Sequence, residues 1–257
     1  MLISSVPTVY QILYEMKSVR IYKKYELSVL SFVWRMIILI YITGDMHGDF
    51  SRFHDVKKAR VKKGDTLIIC GDFGFLWEGG KKEEAILKKI GKLPYQVLFV
   101  DGSHENHKLL LSYPETEFAG DHARNLSGSL YLLRRGGIYT IEGKTIFAFG
   151  GGISTDENAS RKNEEYLLPS AEEIKRASHL LAEHGDKVDF IVTHDAPVRL
   201  QRFIDLEDAD HLDHLHTFLE EISKTITFKQ WYCGKYHLNR KIPPCYHMLF
   251  TDVVKAE

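Results

Sequence analysis

The 257-residue chain has only three cysteines, Cys70, Cys233 and Cys245, and no two of them fall in a C-x-x-C spacing. So few and scattered thiols exclude a disulfide scaffold and a thiolate zinc knuckle, and they make a reducing, cytoplasmic setting the expectation. An excess of charge of one sign is also missing. Lys and Arg number 34 against 35 Asp and Glu, a formal net charge of −1, so no global field draws the chain to nucleic acid or anionic lipid. No long uninterrupted apolar run occurs either. The nearest approach, residues 27–43, carries Arg35 in its middle, where a charge costs about 2.5–3.5 kcal/mol in a membrane. Near the N-terminus, Glu15, Lys17, Arg20, Lys23 and Lys24 occupy the place of an apolar h-region, so no secretory signal and no membrane partner are expected.

What is there suits a packed globule. With 44% hydrophobic and 12% aromatic residues, a chain of this length buries roughly 70–75% of its extended surface. Residues 37–42 form a continuous apolar run rich in β-branched side chains, the pattern of a strand covered on both faces. It stops at Thr43-Gly44-Asp45-Met46-His47-Gly48-Asp49. The same arrangement recurs four times. Runs 66–70, 96–100, 190–193 and 230–233 stop at Gly71-Asp72, Asp101-Gly102-Ser103-His104-Glu105, His194-Asp195-Ala196-Pro197 and Gly234-Lys235-Tyr236-His237.

Helical stretches at 51–59 and 81–90 lie between these runs, which makes the chain an alternating α/β protein. The clearest helix spans 171–184, with Ser170 and Glu173 as a capping box and Gly185 as its stop. Another is predicted over 212–222. Residues 130–149 hold three short apolar runs split by glycine turns and read as an antiparallel meander. Sheet content is therefore mixed.

In an open α/β sheet the carboxyl ends of parallel strands converge on one crevice. Five strand ends bearing Asp or His point to an oxygen/nitrogen metal site of the kind that Mn²⁺, Fe and Zn²⁺ share. Each residue alone is weak evidence, since a lone Gly-Asp is more often a turn.

Asp45-x-His47-Gly48, Gly71-Asp72, Gly102-Ser103-His104-Glu105, Thr193-His194 and Gly234-Lys235-x-His237 resemble, in order, the five blocks of the calcineurin-like metallophosphoesterases. The resemblance implies a four-layer αββα sandwich of two mixed sheets and a site that hydrolyses phosphoester bonds with two metal ions. By that resemblance Asp45, His47, Asp72 and His237 hold the first ion. Asp72 bridges to a second, served by His194 and by positions 103 and 235. His104 is the implied general acid, with Glu105 behind it. A phosphorylated small molecule or nucleotide is the implied substrate, and a divalent metal, Mn²⁺ before Fe or Zn²⁺, the implied cofactor.

Two positions depart from the family pattern. Ser103 stands where an Asn is usual, and Lys235 where a His is usual; a protonated ammonium has no lone pair to give a cation. Both changes fall on the second ion, so one bound ion is expected, with two as the alternative, and slow turnover with it. Lys235 either stands in for the missing charge, beside Asp72 and a substrate phosphate, or marks lost catalysis. A non-catalytic module that binds a phosphorylated ligand or partner is thus the rival reading. Phosphoprotein substrates rank lower, because Phe73-Gly74-Phe75-Leu76-Trp77 lacks the Arg of the protein phosphatase branch.

Arg161, after the Gly150-Gly151-Gly152 run, is a candidate phosphate fork. Asp49 and His54 read as an N-cap and an exposed helix position. His211, Asp213, His214 and His216 read as a solvated helix face, and Trp77 as pocket mouth or packing. Residues 1–35 form an extension of unclear role, either an artefact upstream of a start at Met36 or a helix that docks on a partner. Residues 36–257 form the phosphoesterase domain.

Overall fold

A computed structural model of the chain describes residues 38–153, 164–204 and 213–257. The N-terminal extension, Arg161 and His211 lie outside the described residues. Within them the chain runs β1 (Ile40–Thr43), α1 (Phe53–Lys58), β2 (Thr66–Ile69), α2 (Lys81–Ile90), β3 (Gln96–Phe99), α3 (His107–Ser112), β4 (Glu115–Phe118), β5 (Asp121–Ser127) and β6 (Leu130–Leu133). It continues through β7 (Gly137–Ile141), β8 (Lys144–Phe149), α4 (Glu164–Leu167), α5 (Ala171–Glu183), β9 (Phe190–Thr193), α6 (Val198–Phe203) and α7 (His214–Thr225). Strands β10 (Gln230–Cys233), β11 (Arg240–Ile242), β12 (Tyr246–Met248) and β13 (Val253–Lys255) close it.

Two sheets result among the described residues, ordered β13-β1-β2-β3-β6-β5-β4 and β11-β12-β10-β9-β8-β7. Both are mixed. β1, β2, β3 and β6 pair in parallel, as do β8, β9, β10 and β12, and antiparallel strands finish the edges.

Three apolar cores show that the layers number four. One joins the helices α1 to α3 to the first sheet through Phe53, Val56, Leu87 and Leu110. A second, with Ile42, Ile68, Leu98, Ala148, Val192 and Tyr232, lies between the sheets. The third packs Ala177, Leu181, Leu215 and Leu219 of α5 and α7 on the second sheet. Each Ile, Leu or Phe buried in these spaces contributes roughly 1.5–3 kcal/mol of transfer free energy. Because β1, β2, β3, β9 and β10 are covered on both faces, their sequences are continuous apolar runs rather than alternating ones.

Local signals agree with these elements. Ser170 and Glu173 form the expected capping box at α5, and Asp49 caps the turn before α1 through Ser51. His54 is exposed. The 130–149 meander, however, is not one sheet. β6 joins the first sheet beside β3, whereas β7 and β8 form a hairpin in the second. The chain crosses between sheets at Arg134-Arg135-Gly136, where Arg135 turns to Asp101 with Nε 3.0 Å from Oδ2. A Cβ on Gly136 would lie 2.5 Å from the Ala177 Cβ, so only glycine passes there.

Candidate metal centre

The site grows from four glycines that let strand ends approach more closely than a side chain permits. A Cβ on Gly71 would lie 2.2 Å from the His194 ring, on Gly102 2.1 Å from Asp72 Oδ1, on Gly234 2.3 Å from Asp45 Oδ1, and on Gly44 2.1 Å from the Leu249 carbonyl. The first two loops then zip together: the Met46 and His47 amides donate to the Asp72 carbonyl at 3.0 and 2.8 Å. Buried Glu105 ties the second loop, accepting from the Phe73 and Gly74 amides at 2.6 and 3.3 Å. Arg52, buried under the first, donates from Nη1 to the Asp45 carbonyl at 2.5 Å and from Nη2 to Thr43 Oγ1 and the Phe250 carbonyl.

Four of the side chains so placed sit on left-handed backbone: His47 (φ 48°), Asp72 (φ 44°), Lys235 (φ 66°) and His237 (φ 50°). Each such non-glycine residue costs about 1–3 kcal/mol and persists where its surroundings dictate it. The strain aims the ring or carboxylate into the crevice.

Three groups of donors converge there: Asp45, His47 and His237; Asp45, Asp72 and His194; and His47, Asp72 and His104, with the ligand atoms of each group within 4.8 Å of one another. In the first, His47 Nε2 and His237 Nε2 are 2.9 Å apart, and Asp45 Oδ2 lies 3.9 and 3.3 Å from them. Asp72 joins through Oδ2, 3.9 Å from His47 Nδ1. In the second group His194 Nδ1 is 2.9 Å from the Cys70 carbonyl. A carbonyl only accepts, so Nδ1 is a donor, and Nε2 is turned to the crevice, 3.4 Å from Asp72 Oδ1. The Ser103 hydroxyl is within 3.5 Å of both Asp72 oxygens and of His194 Nε2.

Electrostatics favours the metal-binding form of Asp72 and His47, whereas the hydrogen bond to Asp45 raises the His237 pKa toward the protonated form. Burial works against the Asp72 charge, but the neighbouring His194 and His104 rings outweigh it and hold the carboxyl well below the usual carboxylate range. Burial, partly offset by Asp72 and Asp45, lowers the His47 pKa, which keeps its ring neutral near pH 7. Two carboxylates and three imidazoles, crowded onto neighbouring points, fit a divalent cation of the oxygen/nitrogen type.

His104 belongs to the same crevice: its Nδ1 is 2.8 Å from Asp72 Oδ2 and its amide donates to Asp72 Oδ1 at 2.7 Å. Lys235 is held at both its amide and its ammonium. Its amide donates to both Asp45 oxygens at 3.0 and 3.1 Å, while its ammonium pairs with Asp195 rather than Asp72. Asp195, fully buried, also accepts from the Tyr236 hydroxyl and from the Ala196 amide, and faces His216 Nε2 at 3.2 Å. The sequence reading missed it, although it directly follows His194 on a strand end.

His216 is likewise not on a solvated face. It is 5% exposed, forms the α7 capping box with Asp213, and its pKa is pushed up to about 9: burial opposes the shift, and hydrogen bonds to Asp195 and Asp213 outweigh it. His214 does reach out, to the Pro169 carbonyl at 2.8 Å. Trp77 is half-buried, its carbonyl accepting from Asn106 at 2.6 Å.

A four-layer αββα sandwich with Asp and His side chains gathered at the ends of its parallel strands defines an α/β protein whose crevice could hold a metal ion. The family model for calcineurin-like phosphoesterases matches residues 38–225, and the chain belongs to that family. Comparison with curated proteins finds no match. The match covers the first four blocks; Gly234-Lys235-Tyr236-His237 lies beyond it, and it is the geometry that brings His237 to Asp45. No helix among the described residues is long and apolar enough to cross a membrane.

Proposed function

We propose that this chain is a cytoplasmic phosphoesterase that hydrolyses a phosphomonoester or phosphodiester of a small molecule or nucleotide with one divalent ion, Mn²⁺ before Fe or Zn²⁺. The single observation that carries the reading is the split between the two halves of the site. Asp45, His47 and His237 converge, with Asp72 beside them. At the other half, the position where the family places an imidazole carries the Lys235 ammonium, held by Asp195. An ammonium in that place has no lone pair to give a cation, which leaves that half, among the described residues, only Asp45, Asp72 and His194 as donors.

Asp45, His47, Asp72 and His237 would hold the ion, which supplies Lewis-acid polarisation of a phosphoryl oxygen and acidifies water. The protein's own groups do the rest. Asp72, anchored by the His104 amide and ring, orients both His104 and His47. His104, with its side chain 31% exposed at the crevice, gives a proton to the leaving oxygen as the P–O bond breaks, and recovers one from the water whose oxygen joins phosphorus. Lys235 with Asp195 and the Ser103 hydroxyl line the phosphate side. Losing half of a paired-ion clamp makes turnover slow.

The Lys235–Asp195 pair also favours a second reading, a module that binds a phosphoryl group without cleaving it. Hydrolysis of an aryl phosphate with added Mn²⁺ separates the two. Turnover by the natural chain that disappears in Asp72→Asn and falls in His104→Ala supports the enzyme. No turnover by the natural chain, with activity gained in Ser103→Asn/Lys235→His, supports the module.

A further inference from the structure

A cavity of about 360 Å³, lined by none of the metal-centre side chains, opens where β5, β6 and α5 meet. Four arginines face it: Arg124, Arg134, Arg135 and Arg176. Their partners are unequal. Arg135 is satisfied, with Nε 3.0 Å and Nη2 2.5 Å from Asp101 Oδ2 and with the Tyr166 carbonyl as a further acceptor. Asp101 is closed off from any other cation by that fork and by His107 Nε2 at 3.1 Å. This ion pair is part of the crossing between the sheets.

The remaining three guanidinium groups have no such match. Arg134 Nε and Arg124 Nη2 look to one oxygen, Glu115 Oε1, at 3.7 and 4.0 Å, beyond hydrogen-bond reach. Arg124 spends Nη1 on the Tyr113 carbonyl. Arg176 gives Nη2 to the Arg135 carbonyl, and its Nη1 is buried without a partner, as is His107 Nδ1. Two other carboxylates line the cavity. Glu173 accepts from the Ser170 amide at 2.8 Å and lies 3.8 Å from Arg135; Glu172 is exposed in the first turn of α5. Burial and the nearby Arg134 push the Arg176 pKa down, partly offset by Asp121 and Glu173; what the three arginines lack is hydrogen-bond acceptors for their N–H groups rather than carboxylates in the lining.

Arginines left in this state take an oxyanion, which a guanidinium binds through two parallel N–H bonds. The rest of the wall is apolar or flat: Leu110, Leu132, and the rings of His107 and Tyr166 stacked at 6.3 Å and 11°. The volume is at the lower end of small-ligand pockets. We infer that this cavity is a second binding site, separate from the metal centre, for a small organic phosphate whose phosphoryl group docks on Arg124, Arg134 and Arg176 and whose apolar body lies against Leu132 and Tyr166. A phosphoryl group is favoured over a carboxylate because its three free oxygens can each take an N–H from a different one of the three guanidinium groups.

The test is calorimetric titration of the full chain in EDTA with phenyl phosphate, alongside benzoate, so that the result is independent of metal and of catalysis. Saturable binding is expected, at least tenfold weaker for benzoate. It should weaken at least tenfold in Arg134→Gln, an arginine whose side chain is 36% exposed, and in Arg124→Gln, and stay within twofold in Asp45→Asn. Absence of saturable binding overturns the site. So does binding that both arginine variants keep, or that Asp45→Asn abolishes. Benzoate binding as tightly as phenyl phosphate overturns the phosphate assignment.

Discussion

The ammonium of Lys235 is paired with the buried carboxylate of Asp195 at the position where the family pattern calls for a metal-binding imidazole. Lys235 keeps 20% of its side chain exposed and Asp195 none. The negative partner therefore bears the larger burial cost, and it is shared among Lys235, His216 and Tyr236.

That asymmetry orders two variants. Asp195→Asn leaves Lys235 and His216 without their common counter-charge and is expected to cost about 3–5 kcal/mol. Lys235→Met leaves Asp195 still held by His216 and Tyr236 and is expected to cost about 1.5–3 kcal/mol. Urea unfolding reads both. The opposite order would mean that Asp195 is not the hub of the cluster.

His216 gives the cluster a pH dependence. Its folded pKa, about 9, stands above the ordinary 6.5. Its stabilising contribution is thus complete below about pH 6.5 and fades as pH rises through 9. At roughly 1.4 kcal/mol per unit this amounts to something on the order of 3 kcal/mol. The urea midpoint should fall between pH 6.5 and 9, and the fall should be shallower in His216→Gln. Equal slopes would place the protonation elsewhere.

Gly102 is a steric prediction without backbone strain. A Cβ there meets Asp72 Oδ1 at 2.1 Å, whereas one on Gly80 meets nothing within 4 Å. Gly102→Ala should weaken Mn²⁺ binding at least tenfold by displacing Asp72. Gly80→Ala, at the start of α2, should leave Mn²⁺ affinity unchanged and cost under about 1 kcal/mol of stability. Isothermal titration of both variants checks the pair.

Arg52 holds two loops by three acceptors: the carbonyls of Asp45 and Phe250, and Thr43 Oγ1. Arg52→Lys cannot span them with one ammonium. Each acceptor left unpaired costs about 1–3 kcal/mol, so the melting temperature should drop by several degrees and Mn²⁺ affinity with it. A variant that melts like the parent would show the fork to be dispensable.

The sequence made the strand ends legible because each joins a continuous apolar run to Gly plus Asp or His, and these are the residues that now converge. Its reading failed where partners come from distant chain segments. Asp195 was only one more residue of the strand end beside His194, with no partner marked for it; only folding sets it beside Lys235 and His216. His216 showed the spacing of a polar helix face, and nothing local records that the face is turned inward. Residues 130–149 carried the hairpin signal correctly for β7 and β8. The turn at Arg135-Gly136 looked no different, although there the chain changes sheets to satisfy Asp101. The edge strand β4 and its neighbour β5 escaped notice because β4 is largely exposed and polar and β5 has only two buried residues.

Manganese stoichiometry, read by elemental analysis and by electron paramagnetic resonance of the titrated protein, tests the proposed one-ion site directly. One tightly bound Mn²⁺ per chain is expected for the natural sequence, two for Ser103→Asn/Lys235→His, and none for Asp45→Asn. Two ions in the natural chain, or none at all, would contradict it.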